Sequence, residues 1–313
     1  MKLNKESSIG TSLSFKHKND LERLFNDIKS TSKIAGVTCN DDATWKVLNV
    51  FKEFYTGSAI SIRTTTRPVD KRDVSARYVE LGVPHDPDPY SIALAEGLLA
   101  KDGHLVHDLF DEIQARYTIA GYGIDLDARH GLSKIWPFIF PAPVDTVCSL
   151  SSFPISIKNY AEHFQKFGLN LFSLFAIDYL HRTSNVYFLI KNPKQATTTK
   201  VSRMLEDLDF MVPPQEILEY CCRAATIYYT FSWESDRVER ICFGMVAPEP
   251  ALVPSHLHPL MRRFTARAPM QSTKRMFIYS IAFSQNGYLI KIESDYTGTM
   301  INLLMQAAAN LPE

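Results

Sequence analysis

The sequence has neither an excess of one charge nor a long apolar segment. Its 313 residues include 34 Lys and Arg and 34 Asp and Glu, so the net charge gives no indication of a nucleic acid or an acidic membrane as a partner. No apolar run approaches the roughly 20 residues of a membrane-spanning helix. The N-terminus also lacks a hydrophobic signal core. We therefore expect a cytoplasmic protein with a flexible tail over residues 1–17 and one folded domain over residues 18–313.

Sequence patterns for disulfides, nucleotides and metals are missing as well. The five cysteines are odd in number and form no Cys-x-x-Cys pair, which favours reduced thiols. There is no phosphate-binding loop and no dinucleotide-binding glycine pattern. His256 and His258 stand in a proline-containing loop without a third ligand, and we interpret them as structural. We expect no cofactor and no bound metal.

What the sequence does contain is a helical segment followed by two strands, repeated five times along the chain. Hydrophobic residues make up 45% of the chain, enough for a sizeable core. The stretches Asn-Asp-Asp (40–42) and Asp-Pro-Asp-Pro (86–89) supply helix caps, and Gln-Asn-Gly (285–287) supplies a hairpin turn. Ten strands in consecutive hairpins predict a mainly antiparallel sheet, and closing such a large sheet removes its exposed edges.

The predicted strands alternate between an apolar and a polar face. Residues 224–243 predict a hairpin in which Thr226 and Tyr228 lie on one face of the first strand and Ile227 and Tyr229 on the other. The same division recurs in the stretches SNVYFLIK and GYLIKIES. We expect the apolar faces to contact helices and the polar faces to line a lumen. The predicted fold class is α/β (α+β): a single ten-stranded antiparallel barrel, built from five ααββ repeats and surrounded by helices.

The predicted lumen combines cations with aromatic rings. Its cations are Arg63, Arg77, Lys134, Arg240 and Lys291. It also contains Asn185, Tyr187, Thr226, Tyr228, Trp136, Ser173 and Glu293. So many cations in one cavity are unfavourable unless a polyanion neutralises them, and arginine suits phosphate oxygens, so a diphosphate is the natural ligand. Aromatic faces stabilise a developing carbocation, by up to about 2 kcal/mol each when water is excluded. These features together describe prenyl transfer.

One segment carries a specific resemblance to a known family. The stretch FGLNLFSLFAIDYLHRTSNVYF, at residues 167–188, resembles the aromatic prenyltransferases of the ABBA barrel type, which are soluble enzymes of secondary metabolism. The stretches GLSKIWPFIFP, FSWESDRVERICF and YLIKI support the resemblance in order and spacing, from about Asp20 to the C-terminus. The family fold, five ααββ units closed into a ten-stranded antiparallel barrel, agrees with the fold predicted from the strand faces.

The resemblance also implies a role for individual lumen residues. The diphosphate ligands that it implies are Arg63, Arg77, Lys134, Asn185, Arg240 and Lys291. The residues that it implies around the prenyl chain and its cation are Tyr187, Tyr228 and Trp136. The acceptor pocket is expected to include Ser173, Phe175 and Thr226. Glu293, which shares a strand face with Lys291, is our candidate for the catalytic base; water is the alternative base, and pairing with a cation is an equally good interpretation of Glu293.

Two departures from the family pattern concern charge. Magnesium-dependent members carry an Asp in the strand of the first unit, whereas residues 75–79 here read Ser-Ala-Arg-Tyr-Val, with Asp73 and Glu80 only flanking them. We therefore expect a magnesium-independent enzyme in which Arg77 supplies the charge. His181 replaces a lysine of the family's phosphate cluster. The absence of an Asp-Asp-x-x-Asp motif disfavours the helical prenyl synthases.

The predicted reaction is the transfer of a dimethylallyl group from dimethylallyl diphosphate to an electron-rich aromatic acceptor. The acceptor is a hydroxynaphthalene, a phenazine or a phenol, and the step is a Friedel–Crafts alkylation that releases diphosphate. We expect a monomer without nucleic-acid or membrane partners. Three alternatives stay open: a geranyl donor, a non-catalytic carrier of isoprenoids or aromatic metabolites, and a hydrolase of the same diphosphate. Turnover distinguishes an enzyme from a carrier, since a carrier leaves the diphosphate intact.

Overall fold

The computed structural model describes residues 18–55, 58–82, 86–191 and 196–309 of the chain. The predicted flexible tail, residues 1–17, lies outside these ranges. Within them, strands and helices follow one another as five helical segments, each followed by two strands. No helix in the described ranges combines the length and the apolar character needed to cross a membrane.

The strands form one closed antiparallel barrel. They are Ala59–Thr65 (β1), Val74–Leu81 (β2), Ile119–Asp127 (β3), Gly131–Pro143 (β4), Leu171–Asp178 (β5), Thr183–Leu189 (β6), Thr226–Ser232 (β7), Val238–Ala247 (β8), Phe277–Ser284 (β9) and Gly287–Asp295 (β10). Each strand pairs with the next along the chain, and β1 pairs with β10 to close the ring. In the closing pair, Arg63 lies opposite Glu293. Closure leaves no strand with an unpaired edge, and the predicted ten-stranded barrel is confirmed.

The helices surround this barrel. They are Lys18–Ala35 (α1), Asp41–Val50 (α2), Pro89–Ala95 (α3), Val106–Arg116 (α4), Ala161–Lys166 (α5), Thr198–Glu206 (α6), Gln215–Cys221 (α7), Pro259–Arg267 (α8) and Met300–Ala309 (α9). Among the described residues, the first, second and fourth units each have two α-helices before their strands, and the third and fifth units each have one. The last helix, α9, follows β10 and belongs to no repeat.

Local sequence explains where several helices begin. Asn40 precedes α2, and its side chain accepts a hydrogen bond from the backbone N–H of Ala43. Asp88 precedes α3 and accepts from the N–H groups of Tyr90 and Ser91. Such caps satisfy backbone donors that have no partner within the helix, so a short polar side chain fixes the first turn. Both caps lie in the stretches from which they were predicted.

The main hydrophobic core lies between the outer face of the barrel and the helices. Ile227 and Tyr229 of β7 are buried in it, on the face that the alternating pattern predicted to be apolar. Two smaller apolar clusters lie inside the barrel. One contains Trp136 and Tyr228, and the other joins the strands to Met300 of α9. The lumen is therefore lined by side chains of the opposite face and is partly apolar itself.

Asp295, the last residue of β10, fixes α9 against one end of the barrel. Its carboxylate accepts hydrogen bonds from the backbone N–H groups of Thr299, Met300 and Ile301, at 3.0 to 3.1 Å. An acidic side chain at this position both caps the helix and complements the positive end of its dipole. The side chains of Met300 and Leu303 consequently line the lumen at that end.

Candidate active site

The lumen contains two cavities that meet at Arg63 and Lys291, a place we call the junction. The polar cavity, of about 790 Å³, is lined by residues that include Arg63, Thr65, Arg67, Asp73, Ser75, Lys134, Asp178, His181, Thr230, Arg240 and Lys291. The apolar cavity, of about 360 Å³, is lined by residues that include Val79, Leu81, Trp136, Phe138, Ser173, Leu174, Tyr187, Thr226, Tyr228, Ile278, Ser280, Glu293, Met300, Leu303 and Leu304. The lumen thus changes from polar to apolar along its axis, and α9 covers the apolar end.

Some cations of the polar cavity are paired with carboxylates that the sequence analysis did not single out as partners. Arg63 Nη2 lies 3.1 Å from Asp73 Oδ2, and Lys134 Nζ lies 2.5 Å from Asp178 Oδ2. Arg240, by contrast, has no carboxylate within salt-bridge distance in the described part of the chain. An unpaired guanidinium that is partly buried is unfavourable without a counter-charge, and Arg240 is a lumen cation in this state among the described residues.

Several cations lie close together at the junction and perturb one another. Lys291 Nζ donates a hydrogen bond to the Tyr228 hydroxyl. Burial lowers the pKa of Lys291 well below its usual value of 10.5, and the charges of Arg240 and Arg63 lower it further. Burial, the largest single effect, would raise the pKa of Asp73. Arg63, the Thr65 hydrogen bond and the neighbouring cations together outweigh it, and the pKa falls to about 2. The nearby cations contribute to both shifts, and an added anion would favour the protonated form of Lys291.

Four buried polar atoms around the junction have no hydrogen-bond partner within the described ranges. They are Nε of Arg63, Nε of Arg240, Oδ1 of Asn185 and Oγ1 of Thr230. Thr230 of β7 lies opposite Asn185 of β6 and opposite Arg240 of β8, so three of these atoms come from adjacent positions on neighbouring strands. Buried polar atoms are nearly always hydrogen-bonded in folded proteins. A ligand with several acceptor atoms would satisfy the two arginines.

Arg77 lies in the wall of the apolar cavity, and its charge is already balanced. Its Nε and Nη2 donate to the carboxylate of Asp125 at 2.7 and 3.0 Å, and its Nη1 lies 3.6 Å from Glu293 Oε1. The guanidinium carbon lies 3.9 Å from the ring centroid of Trp136. Asp125, which the sequence analysis missed, therefore holds the Arg77 guanidinium next to the Trp136 ring. This position does not support the prediction that Arg77 binds the diphosphate directly.

Two tyrosines stand beside the junction on neighbouring strands. Tyr187 of β6 and Tyr228 of β7 are paired in register, and their rings stack with centroids 4.3 Å apart. Burial raises the pKa of both hydroxyls, so they stay protonated at neutral pH. Glu293, the candidate base, accepts a hydrogen bond from the Ser61 hydroxyl and lies against Arg77. The observed partners of Glu293 are thus one hydroxyl donor and one guanidinium.

The predicted acceptor residues divide into two groups. Ser173 and Thr226 line the apolar cavity. Phe175 does not, and the prediction for it is wrong: its side chain is fully buried in the outer core, where its ring packs near Tyr117. The pairing of β4 with β5 is irregular here, so alternation breaks and both Ser173 and Leu174 reach the cavity. Regular alternation from Ser173 would have placed Phe175 inside.

The sequence matches the family described as aromatic prenyltransferase Orf2 over residues 19–308, which is almost the whole chain. The chain belongs to this aromatic prenyltransferase family. A match of this length covers every strand of the barrel and both cavities. The prenyltransferase resemblance that the sequence implied is therefore confirmed at the level of the family.

The proteins to which this prenyltransferase is similar include bacterial enzymes. It is 28% identical over 278 residues to the 5,10-dihydrophenazine-1-carboxylate 9-dimethylallyltransferase of Streptomyces anulatus, covering 88% of this chain and 92% of that protein. It is 27% identical to the furaquinocin biosynthesis prenyltransferase of a Streptomyces species, covering 92% and 94% of the two chains. The crystal structure of NotF prenyltransferase shares the fold, with a TM-score of 0.55 at 10% identity over 90% of this chain and 96% of that one.

The three histidines that the sequence analysis singled out, His181, His256 and His258, each have a polar partner within the protein. His258 caps α8 through Nδ1, which accepts from the backbone N–H of Leu260, and His256 Nε2 lies 2.6 Å from Glu216. At the rim of the polar cavity, His181 contacts Asp178, the carboxylate that also binds Lys134. Among the described residues, no three His, Cys, Asp or Glu side chains are grouped so that they could hold a metal ion.

Proposed function

We propose that the chain transfers a dimethylallyl group from dimethylallyl diphosphate to a hydroxynaphthalene, a phenazine or a phenol, without magnesium. The observation that carries the proposal is the junction, where unpaired polar atoms of Arg63 and Arg240 meet the stacked rings of Tyr187 and Tyr228. Anion-binding groups next to aromatic walls suit an allylic diphosphate, which separates into an anion and a carbocation. The name of the S. anulatus relative favours a five-carbon donor.

The diphosphate is assigned to the polar side of the junction. Its ligands in this proposal are Arg63, Lys134, Asn185, Arg240 and Lys291. The charges are in place before the reaction begins, so they stabilise the negative charge that grows on the leaving oxygen without further rearrangement. The diphosphate should affect Lys291 most, because burial disfavours the protonated amine and an adjacent anion favours it.

The prenyl cation is assigned to the face of the tyrosine pair. Tyr187 and Tyr228 present aromatic surface next to the diphosphate ligands, and their hydroxyls remain neutral. A ring face attracts a cation more strongly once water is excluded. One face of Trp136 is already covered by the Arg77 guanidinium at 3.9 Å. Trp136 therefore contributes to shielding through its remaining surface.

The aromatic acceptor is assigned to the apolar cavity. The volume of about 360 Å³ lies within the usual range of small-molecule sites. Ser173 and Thr226 offer hydroxyl groups there. Stacking the acceptor against the allyl cation makes the carbon–carbon bond formation intramolecular in effect. Loss of the ring proton, to Glu293 or to water, restores the aromatic ring, and diphosphate is the second product.

Magnesium independence is supported by how the carboxylates are used. A magnesium ion would need a free carboxylate near the diphosphate. Asp73 is engaged by Arg63 and Thr65, and Asp125 is engaged by Arg77. Guanidinium groups thus already neutralise these two carboxylates.

The proposal is tested by incubating the protein with radiolabelled dimethylallyl or geranyl diphosphate and a panel of hydroxynaphthalenes, phenazines and phenols. We expect prenylated product and free diphosphate in equal amounts, with rates unchanged between EDTA and added MgCl₂. Arg240→Ala should lower kcat/KM for the donor by about 10- to 100-fold, the effect of losing a charge-assisted hydrogen bond. Arg237→Ala is the matched control, because the Arg237 side chain is 66% exposed on the turn before β8.

Other outcomes would contradict specific parts of the proposal. Binding of the donor without release of diphosphate would identify a carrier. Release of diphosphate with dimethylallyl alcohol as the main product would identify a hydrolase. Loss of activity in EDTA that MgCl₂ restores would contradict magnesium independence, and equal kcat/KM values for Arg240→Ala and Arg237→Ala would contradict the assignment of the diphosphate site.

A further inference from the structure

A second group of cations lies away from the junction, between α1, α8 and the turn that joins β1 to β2. These elements enclose a cleft of about 330 Å³, and half of its lining residues are cations. They are Lys33, Arg72, Arg263 and Arg267. No aspartate or glutamate of the described ranges lines the cleft. We call this place the basic cleft.

Three of the four cations are exposed and have no polar partner in the described part of the chain. Lys33 lies in the last turn of α1, and Arg263 and Arg267 lie about one helical turn apart on α8. None of the three takes part in a hydrogen bond or an ion pair there. Cations that line one cleft repel each other, and a multivalent anion bound between them relieves the repulsion.

The fourth cation, Arg72, is buried and is held by the backbone. Its Nη1 donates to the carbonyl oxygen of Ala35 at 2.6 Å, and its Nε donates to that of Arg67 at 3.0 Å. Its Nη2 has no acceptor within the described ranges, so this nitrogen remains available to a ligand. Burial, and then the positive charge of Arg263, lower the pKa of Arg72, which indicates that the two guanidinium groups interact.

The two helix ends account for only part of this charge. A cation in the last turn of a helix complements the negative end of the helix dipole, and Lys33 and Arg267 occupy such positions. Each helix end carries roughly half an elementary charge, so the two ends offset about one of the four positive charges. An excess of about three remains. A single phosphate group carries a charge of about −1.5 to −2 at neutral pH, which is less than this excess.

We propose that the basic cleft binds a diphosphate group, either free diphosphate or the diphosphate of an organic ester. A diphosphate carries more negative charge than one phosphate group and offers oxygens on two phosphorus atoms. Arginine suits such a group because its planar fork contacts two oxygens at once. Of the residues that line the cleft, Arg72 also lines the polar cavity, and the others do not line the lumen. The inference therefore goes beyond the proposed function and does not depend on it.

The experiment counts bound diphosphate. Equilibrium dialysis of the full chain against radiolabelled inorganic diphosphate, at low ionic strength and without divalent cations, should show two equivalents bound to the wild type. Arg240→Ala should weaken one of them. The double variant Arg263→Gln with Arg267→Gln should raise the Kd of the other at least about tenfold, the effect of losing charge-assisted hydrogen bonds. Lys33→Gln, on the other helix, should raise the same Kd, and added salt should weaken this site because exposed cations are screened.

The matched control is Arg262→Gln, because Arg262 is exposed beside Arg263 on α8 but does not line the cleft. This variant should retain both equivalents. Equal losses in Arg262→Gln and Arg263→Gln would assign the binding to net charge and overturn the inference. Retention of both equivalents by the double variant, with its fold verified by circular dichroism, would also overturn it. A single equivalent in the wild type that only Arg240→Ala weakens overturns the basic cleft alone, whereas a single equivalent that only the double variant weakens supports the cleft and contradicts the diphosphate site of the lumen.

Competition identifies the group that is bound. In the Arg240→Ala background, unlabelled ADP and inorganic phosphate are tested as competitors against labelled diphosphate. ADP should displace the label, because it carries a diphosphate on an organic molecule. A preference for ADP over unlabelled diphosphate would assign the cleft to an ester, and the reverse would assign it to free diphosphate. Inorganic phosphate should compete at least about tenfold less well, and equal competition by phosphate and diphosphate would overturn the proposal.

Discussion

Replacing Asp125 by Asn is expected to lower the free energy of unfolding by about 3 kcal/mol. Asp125 is 0% exposed and holds Arg77 through two hydrogen bonds of 2.7 and 3.0 Å. The asparagine keeps the shape but removes the charge, so the guanidinium loses its nearest counter-charge. Removing one partner of a buried ion pair typically costs about 3 to 5 kcal/mol. Glu293, 3.6 Å from Arg77, still supplies a negative charge next to the guanidinium. The expected loss of stability is therefore at the lower end of this range.

The measurement is urea unfolding followed by circular dichroism, with Asp111→Asn as the reference variant. Asp111 pairs with Lys101 at 3.5 Å, but its side chain is 59% exposed. Exposed ion pairs contribute less than about 1 kcal/mol, so this variant should differ little from the wild type. The double variant Arg77→Gln with Asp125→Asn removes both charges and should recover part of the loss. Equal stability of Asp125→Asn and Asp111→Asn would refute the reasoning.

Three further predictions concern pH and cavity size. Arg63, the Thr65 hydrogen bond and neighbouring cations together lower the pKa of Asp73 to about 2 against the effect of burial. The stabilisation from this group therefore exists above about pH 4 and is lost as the pH falls through 2. Asp73→Asn should therefore lower the free energy of unfolding by about 2 kcal/mol at neutral pH and by clearly less near pH 2. Urea unfolding at both pH values measures this difference. A difference that does not change with pH would contradict the prediction. Burial lowers the pKa of Lys291, and a bound diphosphate should raise it again. Binding of a thiolated donor analogue at about pH 9 should therefore be accompanied by proton uptake, measured by calorimetry in two buffers. The variant Lys291→Met should abolish this uptake. Leu304→Trp should fill the apolar cavity and reduce acceptor turnover at least about tenfold. The control is Met305→Trp, which should not reduce turnover because Met305 is 51% exposed on the same helix. Similar rates for the two variants would show that α9 does not limit the cavity.

The alternation of strand faces was enough to predict which side chains enter the lumen at most positions. Tyr187 and Tyr228 were predicted inside and Tyr229 outside, and the structure agrees, because a regular strand fixes the face of every residue once one is known. The prediction failed at Phe175, which directly follows the stretch from Phe172 to Leu174 where the pairing of β5 with β4 is irregular. An irregularity of this kind depends on how two distant strands match in length, and a single sequence does not show it.

The carboxylates of the site were harder to predict than the cations. Asp125 shares a face with the two glycines of β3 by simple alternation, so its position could have been derived from the pattern. What the pattern could not give is its partner, since Arg77 and Asp125 meet only when β2 pairs with β3 in a particular register. The predicted cluster of free cations is therefore partly a network of ion pairs. Arg240 alone among the five predicted cations lacks a recorded polar partner within the described residues.

The joining of the first strand to the last has a consequence for how the protein is made. Ser61 and Glu293, which are hydrogen-bonded across the closing strands, are 232 positions apart. While the chain is still on the ribosome, β1 and the most recently synthesised strand both expose unpaired backbone, and the ring can shut only after β10 has emerged. Lys291 and Glu293 belong to that strand. The last lumen residues and the protection from edge-to-edge aggregation are therefore added in the same step of synthesis. A prematurely terminated product lacks both.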